Sequence, residues 1–335
     1  MAGIFRTNKR VDFMDNQEFI EEVELLLRKE SKENLSPYLY TEPSPDIPND
    51  PVNGEKYYEE LIYEFPDYYL YRDEISLIKK SAELLATHVE PSSTIVEFGV
   101  GTEKAFRNKT MPFLQAVTGL EKYVPVDLCL YYLNKSKAIV EGEIAGVTVE
   151  QHEKNFITHC TLARNYEKPV IWYKGGTIGN LSPEKCIHFL QRLSGALPAG
   201  GQLIVGTDCN QDAQSLMAAY DNEKMAKVME NILYRIARDC PVNGFDPAAF
   251  RYDVHWDAET YAIQHKLLAT QSQTFTFNND VYTIHEGEHL HTVSSYKYPV
   301  SVFKEFVVQG GFTLKESLLD ANQRMAINVM QVAKR

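Results

Sequence analysis

Residues 94–102, TIVEFGVGT, constrain this chain more than any other stretch. An apolar run of strand length carries an acid near its end, Glu97, and opens into a Gly-x-Gly turn at Gly99 and Gly101. Glycine at such a turn lets the backbone approach a ligand closely, because no Cβ stands in the way. A second run, YVPVD at 123–127, ends in Asp127. An acid at that strand end is placed to accept both hydroxyls of a ribose. The two together predict a nucleoside-containing ligand lying across the carboxyl ends of parallel strands.

The flanking sequence supports a parallel sheet. Apolar runs near 94–98, 122–127, 146–150, 169–173 and 202–206 alternate with helical patterns, the signature of an α/β sheet. Ser182 followed by Pro183 predicts a helix start, and PAGG at 198–201 its stop. Upstream, helices are expected over 17–31, 57–64 and 73–88, separated by a Pro-rich connector and an aromatic turn at 65–72. Residues 210–291 break the alternation: a helical stretch at 214–240, an aromatic loop, then strands at 261–271 and 273–282. A helix at 300–309 and closing strands at 312–317 and 325–332 complete the chain. The expected architecture is a Rossmann-like domain (73–209 and 298–335) plus a second α+β domain (1–72 and 210–297) built from the N-terminal region and an insertion.

Composition narrows the ligand class. The formal charge of −12 repels phosphate backbones, so no nucleic acid is expected as partner. No apolar run approaches the ~20 residues needed to span a bilayer, and the start lacks the apolar core of a signal peptide. The five cysteines show neither a Cys-x-x-Cys pair nor zinc-like spacing, which suits reduced thiols in the cytoplasm. The cluster HEGEHLH at 285–291 invites a metal reading, but it lacks the His-Glu-x-x-His spacing; a solvated hairpin is expected and no metal.

Three cofactors compete for the Gly-x-Gly turn. A dinucleotide fold needs a third glycine where Lys104 stands, and Glu97 would repel a pyrophosphate. A P-loop is excluded because no Gly-Lys-Ser/Thr occurs. S-adenosyl-L-methionine has no phosphate and carries a sulfonium and an α-ammonium, which Glu97 suits. Glu97, Gly99, Gly101 and Asp127 together point to a class I S-adenosylmethionine-dependent methyltransferase fold, a parallel sheet with an antiparallel closing strand.

Five further motifs occur in order: LIYEFPDYYLYRDE at 61–74, GGTIGNLSP at 175–183, VGTD at 205–208, AYD at 219–221 and SYKY at 295–298. With them the chain resembles the histidine-specific Nα-methyltransferase family of ergothioneine biosynthesis, which includes fungal relatives acting on prenylated tryptophan. The resemblance implies methyl transfer from S-adenosyl-L-methionine to the α-amino nitrogen of a histidine-like or tryptophan-like amino acid. It assigns Gly99, Lys109 (with Lys104 as rival), Asp127, Asn155, Phe156 and Gly175 to the cofactor. It assigns Tyr68, Asn180 and Tyr220 to the acceptor's carboxylate and α-amino group, with Tyr68 and Asn180 orienting the amine for catalysis. At the side-chain end of the pocket, Ser295 is a shared ring contact and His265 replaces a family Met. Val293 stands where the histidine enzymes carry a Glu that grips the imidazole, so the acceptor's side chain stays open. Methylation of an amine outside the amino acids, a non-catalytic cofactor-binding sensor and an NAD-linked oxidoreductase are the competing readings; the oligomeric state is left unknown.

Overall fold

The computed structural model describes residues 13–30 and 35–333. The start read above for a targeting signal lies outside the described residues, as does Ser31; the helix expected over 17–31 spans Phe13–Leu27 and ends short of it. The chain divides into two compact units. One comprises 69–216, 258–262 and the segment from Ser295; the other comprises the described residues up to Tyr68, with 217–257 and 263–294.

The first unit is built on a mixed sheet. Its strands are β1 (Thr94–Phe98), β2 (Lys122–Asp127), β3 (Thr148–Val149), β4 (Pro169–Tyr173), β5 (Gln202–Asp208), β6 (Phe312–Leu319) and β7 (Met325–Val332). They lie in the order β3-β2-β1-β4-β5-β7-β6, and an eighth, two-residue strand, His152–Glu153, also pairs with β2 in parallel. β1 to β5 pair in parallel, and β7 runs antiparallel between β5 and β6. All five residues of β1 and of β4 are buried, because helices cover both faces of a central parallel strand and no polar alternation is needed. Val96, Phe98, Ile171, Tyr173, Leu203 and Val205 form one core with Phe189, Leu190 and Leu193 of the helix Pro183–Ala196. Each such side chain contributes about 1.5–3 kcal/mol by leaving water. Ser182 starts that helix by accepting from the Lys185 amide. The order of winding reverses between β1 and β4, so the loops after these two strands flank the crevice where ligands of this architecture bind.

The helix expected from Asp73 begins earlier, at Leu70. The Asp73 amide bonds the Tyr69 carbonyl, so the last residues of the aromatic stretch supply its first turn.

The second unit joins helices Gly54–Glu64 and Glu223–Asp239 to two three-stranded sheets. On the longer helix, Asn231 accepts from the Asn53 amide (2.9 Å) and donates to the Leu39 carbonyl (3.1 Å). Arg235 lies over Phe19, 4.2 Å from its ring centre, and donates to the Tyr38 carbonyl. These buried polar contacts fasten the Pro-rich connector. A Cβ on Gly54 would sit 1.8 Å from the Leu39 oxygen, so only glycine fits there.

Three expectations in this unit are corrected. The strand drawn across 273–282 is a hairpin, Gln273–Phe277 with Asp280–Ile284, turning at Asn278 and Asn279. Both asparagines have positive φ (52° and 71°), which matches a two-residue turn of the primed type. The aromatic loop contains a full strand, Phe250–Asp257. The helical stretch 214–240 is two helices, Ala213–Tyr220 and Glu223–Asp239, with Asn222 capping the second.

Candidate functional site

Gly99 and Gly101 have φ of +74° and +72°, a region L side chains rarely adopt, so the turn after β1 needs glycine at both places. Asp127, half-buried at the end of β2, holds this turn. Its Oδ2 accepts from the Val100 amide (2.8 Å) and the Gly101 amide (3.4 Å), and its Oδ1 accepts from the Cys129 amide (2.9 Å). A carboxylate has about four lone-pair sites. Three are used here, which leaves acceptor capacity for a ligand hydroxyl.

Glu97 has a different occupation from the one expected of it. Its side chain is fully buried and turned into the protein. It accepts from Thr110 Oγ1 (2.6 Å) and the Tyr123 hydroxyl, and pairs with Lys174 Nζ at 2.5 Å. Burial pushes its carboxyl above the ordinary range, while the Lys174 ammonium and the two hydroxyl donors hold it back. A carboxylate so committed presents no bare charge to a cationic ligand. It serves the loop through Lys174, which sequence reading missed. The three donors of that ammonium go to Glu97, the Gly99 carbonyl (2.8 Å) and the Val100 carbonyl (2.9 Å). The glycine turn is thus held by its amides on Asp127 and by its carbonyls on Lys174.

Lys109 is corrected in the same way. It lies in a π-helical turn, Phe106–Thr110, which accommodates one extra residue and turns Lys109 and Thr110 inward. Its ammonium pairs with Glu74 Oε2 at 2.5 Å and lies 4.9 Å from the centre of the Tyr71 ring. Glu74 Oε1 in turn accepts from the Gly175 amide at 2.6 Å. Lys109 therefore supports the turn after β4 through Glu74. Lys104, its rival, is exposed.

That turn carries consecutive left-handed glycines, Gly175 (φ +87°) and Gly176 (φ +63°), followed by the short helix Thr177–Asn180. Asn180 ends it, half-buried. A Cβ on Gly179 would meet the Tyr296 carbonyl at 2.6 Å, which fixes this helix against the 295–298 segment. Beside the loop after β1, Phe156 stacks on Phe98 with centroids 5.6 Å apart and lies 3.4 Å from where a Gly99 Cβ would project. The Asn155 side-chain carbonyl, assigned above to the cofactor, accepts from the Ile157 amide at 2.9 Å. That bond shapes the turn, and the Asn155 amide nitrogen is the group left to donate.

The structure gathers Gly99, Gly101, Asp127, Asn155, Phe156, Gly175 and Asn180 at the carboxyl edge of one sheet, within one unit. Ser295 belongs to the same unit. Tyr68, Tyr220, His265 and Val293 belong to the other, and three of them form an aromatic cluster. Tyr68 meets Tyr220 edge-on at 5.7 Å, and Tyr220 meets His265 at 5.5 Å. His265 Nδ1 bonds the Tyr252 hydroxyl at 2.7 Å. Burial pushes the Tyr58 and Tyr252 phenols well above their ordinary range, so both stay protonated at neutral pH. Val293 is buried. His289 pairs with Asp253 and His291 with Ser294 on the strand His289–Tyr296. Among the described residues no group of three His, Cys, Asp or Glu side chains is placed to hold a metal ion.

A model of a protein family described as histidine-specific, S-adenosylmethionine-dependent methyltransferase matches residues 19–332. The chain belongs to that family. The methyltransferase is 29% identical to a histidine N-alpha-methyltransferase of Mycolicibacterium smegmatis over 63% of its own length, and the match spans 66% of that relative, just under two thirds. It is 21% identical to the N-methyltransferase imqF of Aspergillus flavus, over 92% of this chain and 84% of that one. Among solved structures, the CcbJ methyltransferase of Streptomyces caelestis is similar with a TM-score of 0.45 and 15% identity, over 77% of this chain and 96% of that one. The parallel sheet with its antiparallel closing strand is the fold expected of that family. Among the described residues no helix is long and apolar enough to cross a membrane.

Proposed function

We propose that this methyltransferase transfers methyl groups to the α-amino nitrogen of an amino acid with a histidine-like or tryptophan-like side chain. The observation that carries the reading is the family match across 19–332, which includes every residue assigned to the site. The left-handed glycines and the spare acceptor capacity of Asp127 suit S-adenosylmethionine: a backbone free of Cβ atoms for its main body and an acid for its ribose. When bound, that cofactor supplies an electrophilic methyl carbon on a good leaving group. The protein's own task is then alignment and presentation of a neutral amine.

Asn180, beside the Gly175–Gly176 turn, orients the amine, and Tyr68 takes part in holding it. With the nitrogen lone pair so directed, S-adenosylmethionine would supply the methyl group and would keep the electron pair of the bond it gives up. The ammonium's proton leaves to water beforehand. The buried phenols of Tyr58 and Tyr252 do not serve as bases, since burial keeps them protonated. The faces of Tyr68 and Tyr220 favour a substituted ammonium by cation–π contact, at about 0.5–2 kcal/mol. Val293, in place of an acid, loosens the demand for an imidazole N–H. The relatives named as histidine N-alpha-methyltransferases favour histidine. No disulfide joins Cys129, Cys160, Cys186, Cys209 or Cys240, and we place the reaction in the cytoplasm.

The test is product identification. Purified protein, S-adenosylmethionine and single amino acids are incubated, and fragmentation mass spectrometry locates the added methyl groups. Methyl on the α-nitrogen supports the reading; methyl on a ring nitrogen or a carboxylate contradicts it.

A further inference from the structure

The carboxyl end of β5 holds a buried ionic cluster that no role above uses. Asp208, the last residue of β5, accepts from the Tyr69 hydroxyl at 2.8 and 3.0 Å and from the Asn210 amide at 3.1 Å. Its Oδ2 pairs with Lys297 Nζ at 3.1 Å. Lys297 Nζ also donates to Ser295 Oγ at 2.8 Å. Tyr69 and Lys297 are 1% exposed and Asp208 3%, so water does not compete for the bonds among these three. Tyr69 is wedged from the other side: the Arg324 guanidinium lies 4.4 Å from its ring centre and bonds Asp73 at 2.5 and 2.9 Å.

An ammonium has donors and no acceptor. Toward Lys297, therefore, Ser295 Oγ can only accept, and the hydroxyl proton of Ser295 must point elsewhere. Accepting from a charged donor also polarises the hydroxyl and makes it a better donor itself. One lone pair of Ser295 Oγ is committed to the ammonium, and the electron density drawn toward that cation makes the remaining one a weaker acceptor. Burial lowers the affinity of Lys297 for its proton, and the Asp208 carboxylate opposes that loss.

We propose that Lys297, fixed by Asp208 and Tyr69, is a positioning residue that turns the Ser295 hydroxyl proton away from itself and polarises it, so that the site favours an acceptor side chain carrying an in-plane lone pair. The inference rests on the reading that Ser295 faces the side chain of the methylated amino acid. A neutral imidazole offers one such nitrogen. Indole offers only an N–H, and a phenyl ring offers neither.

The experiment is calorimetry of histidine and phenylalanine binding in the presence of S-adenosylhomocysteine, for the wild type, Lys297→Met, Ser295→Ala and the double variant. The wild type is expected to prefer histidine. Each single variant should reduce that preference about tenfold, the worth of one hydrogen bond of ordinary strength. The double variant should reduce it no further, because Lys297 acts through Ser295. Affinity for S-adenosylhomocysteine should be unchanged throughout. Because Lys297→Met strands a buried carboxylate, Asp208→Asn/Lys297→Met is run beside it and should show the same loss of preference. A wild type that binds histidine no better than phenylalanine overturns the inference. So do equal losses for both ligands, or additive losses in the double variant. Amino acids that bind and are α-N-methylated without this pattern sink the inference alone; absence of α-N-methylation with any amino acid sinks the functional reading beneath it.

Discussion

Lys174→Met is the sharpest perturbation of the cofactor half of the site. It removes the charge that opposes Glu97 and both donors to the Gly99 and Val100 carbonyls, while keeping the apolar stem. Breaking a buried ion pair by deleting one partner costs about 3–5 kcal/mol when the remaining charge stays ionised. Glu97 can avoid part of that cost by taking up a proton, since burial already raises its pKa above the ordinary 4.5. The sign follows from linkage: a carboxyl whose folded pKa lies above its unfolded value binds its proton more tightly when folded. The folded state is therefore favoured below about 4.5, and the benefit fades as pH rises through the folded pKa. Urea unfolding of the variant against the wild type should accordingly show a deficit that is smallest at acid pH and grows toward neutrality. Glu97→Gln/Lys174→Met should recover most of the stability and lose the pH dependence. Both variants should bind S-adenosylmethionine about tenfold more weakly or worse, because the carbonyls of the turn are released. A Lys174→Met protein with wild-type cofactor affinity and a pH-independent deficit would refute the clamp.

Other outcomes follow from single contacts. Gly99→Ala forces a side chain into φ +74°, about 1–2 kcal/mol of strain, beside the Phe156 ring; cofactor affinity by calorimetry should fall. The control Gly195→Ala lies in the helix Pro183–Ala196 with open space around its Cβ and should stabilise by about 0.5–1 kcal/mol in urea. Burial pushes the Cys186, Cys209 and Cys240 thiols up to about 12, so at pH 8 they remain protonated. Ellman's reagent should therefore label half-buried Cys129 first, half-buried Cys240 more slowly, and buried Cys186 and Cys209 only after denaturation. Val293→Glu restores the acid of the histidine enzymes and should raise the preference for histidine over tryptophan about tenfold in kcat/KM; an unchanged ratio would remove Val293 from the side-chain pocket.

Much of the sheet was legible because it is local. β1 and β4 read as continuous apolar runs, the glycines after β1 announce left-handed turns, and Ser182 starts its helix as its side chain dictates. What escaped depends on which strands are neighbours. Glu97 and Lys174 lie 77 residues apart and meet only because β1 pairs with β4, so nothing local marks Lys174 as the partner of the acid. Lys109 and Glu74 meet through a π-helical turn that no helical period predicts. The strand Phe250–Asp257 was a different kind of miss. Its sequence, FRYDVHWD, places Phe250, Tyr252, Val254 and Trp256 at period two, a strand signal hidden by the Gly and Pro of the preceding segment. The hairpin at Asn278–Asn279 was overlooked because two asparagines replace the more familiar Asn-Gly. The family resemblance supplied the acceptor residues. Neither periodicity nor composition singled out Tyr68, Tyr220 or Asn180.

The central claim is an α-amino acid acceptor, and a competition assay tests it most directly. Equimolar histidine, tryptophan, phenylalanine and histamine are offered together with methyl-labelled S-adenosylmethionine, and the products are separated by mass. Label on the α-nitrogen of histidine or tryptophan, with histamine untouched, is the predicted result, since a carboxylate is part of what the site reads. Labelled histamine, or label on none of the four, would contradict it and move the acceptor outside the amino acids.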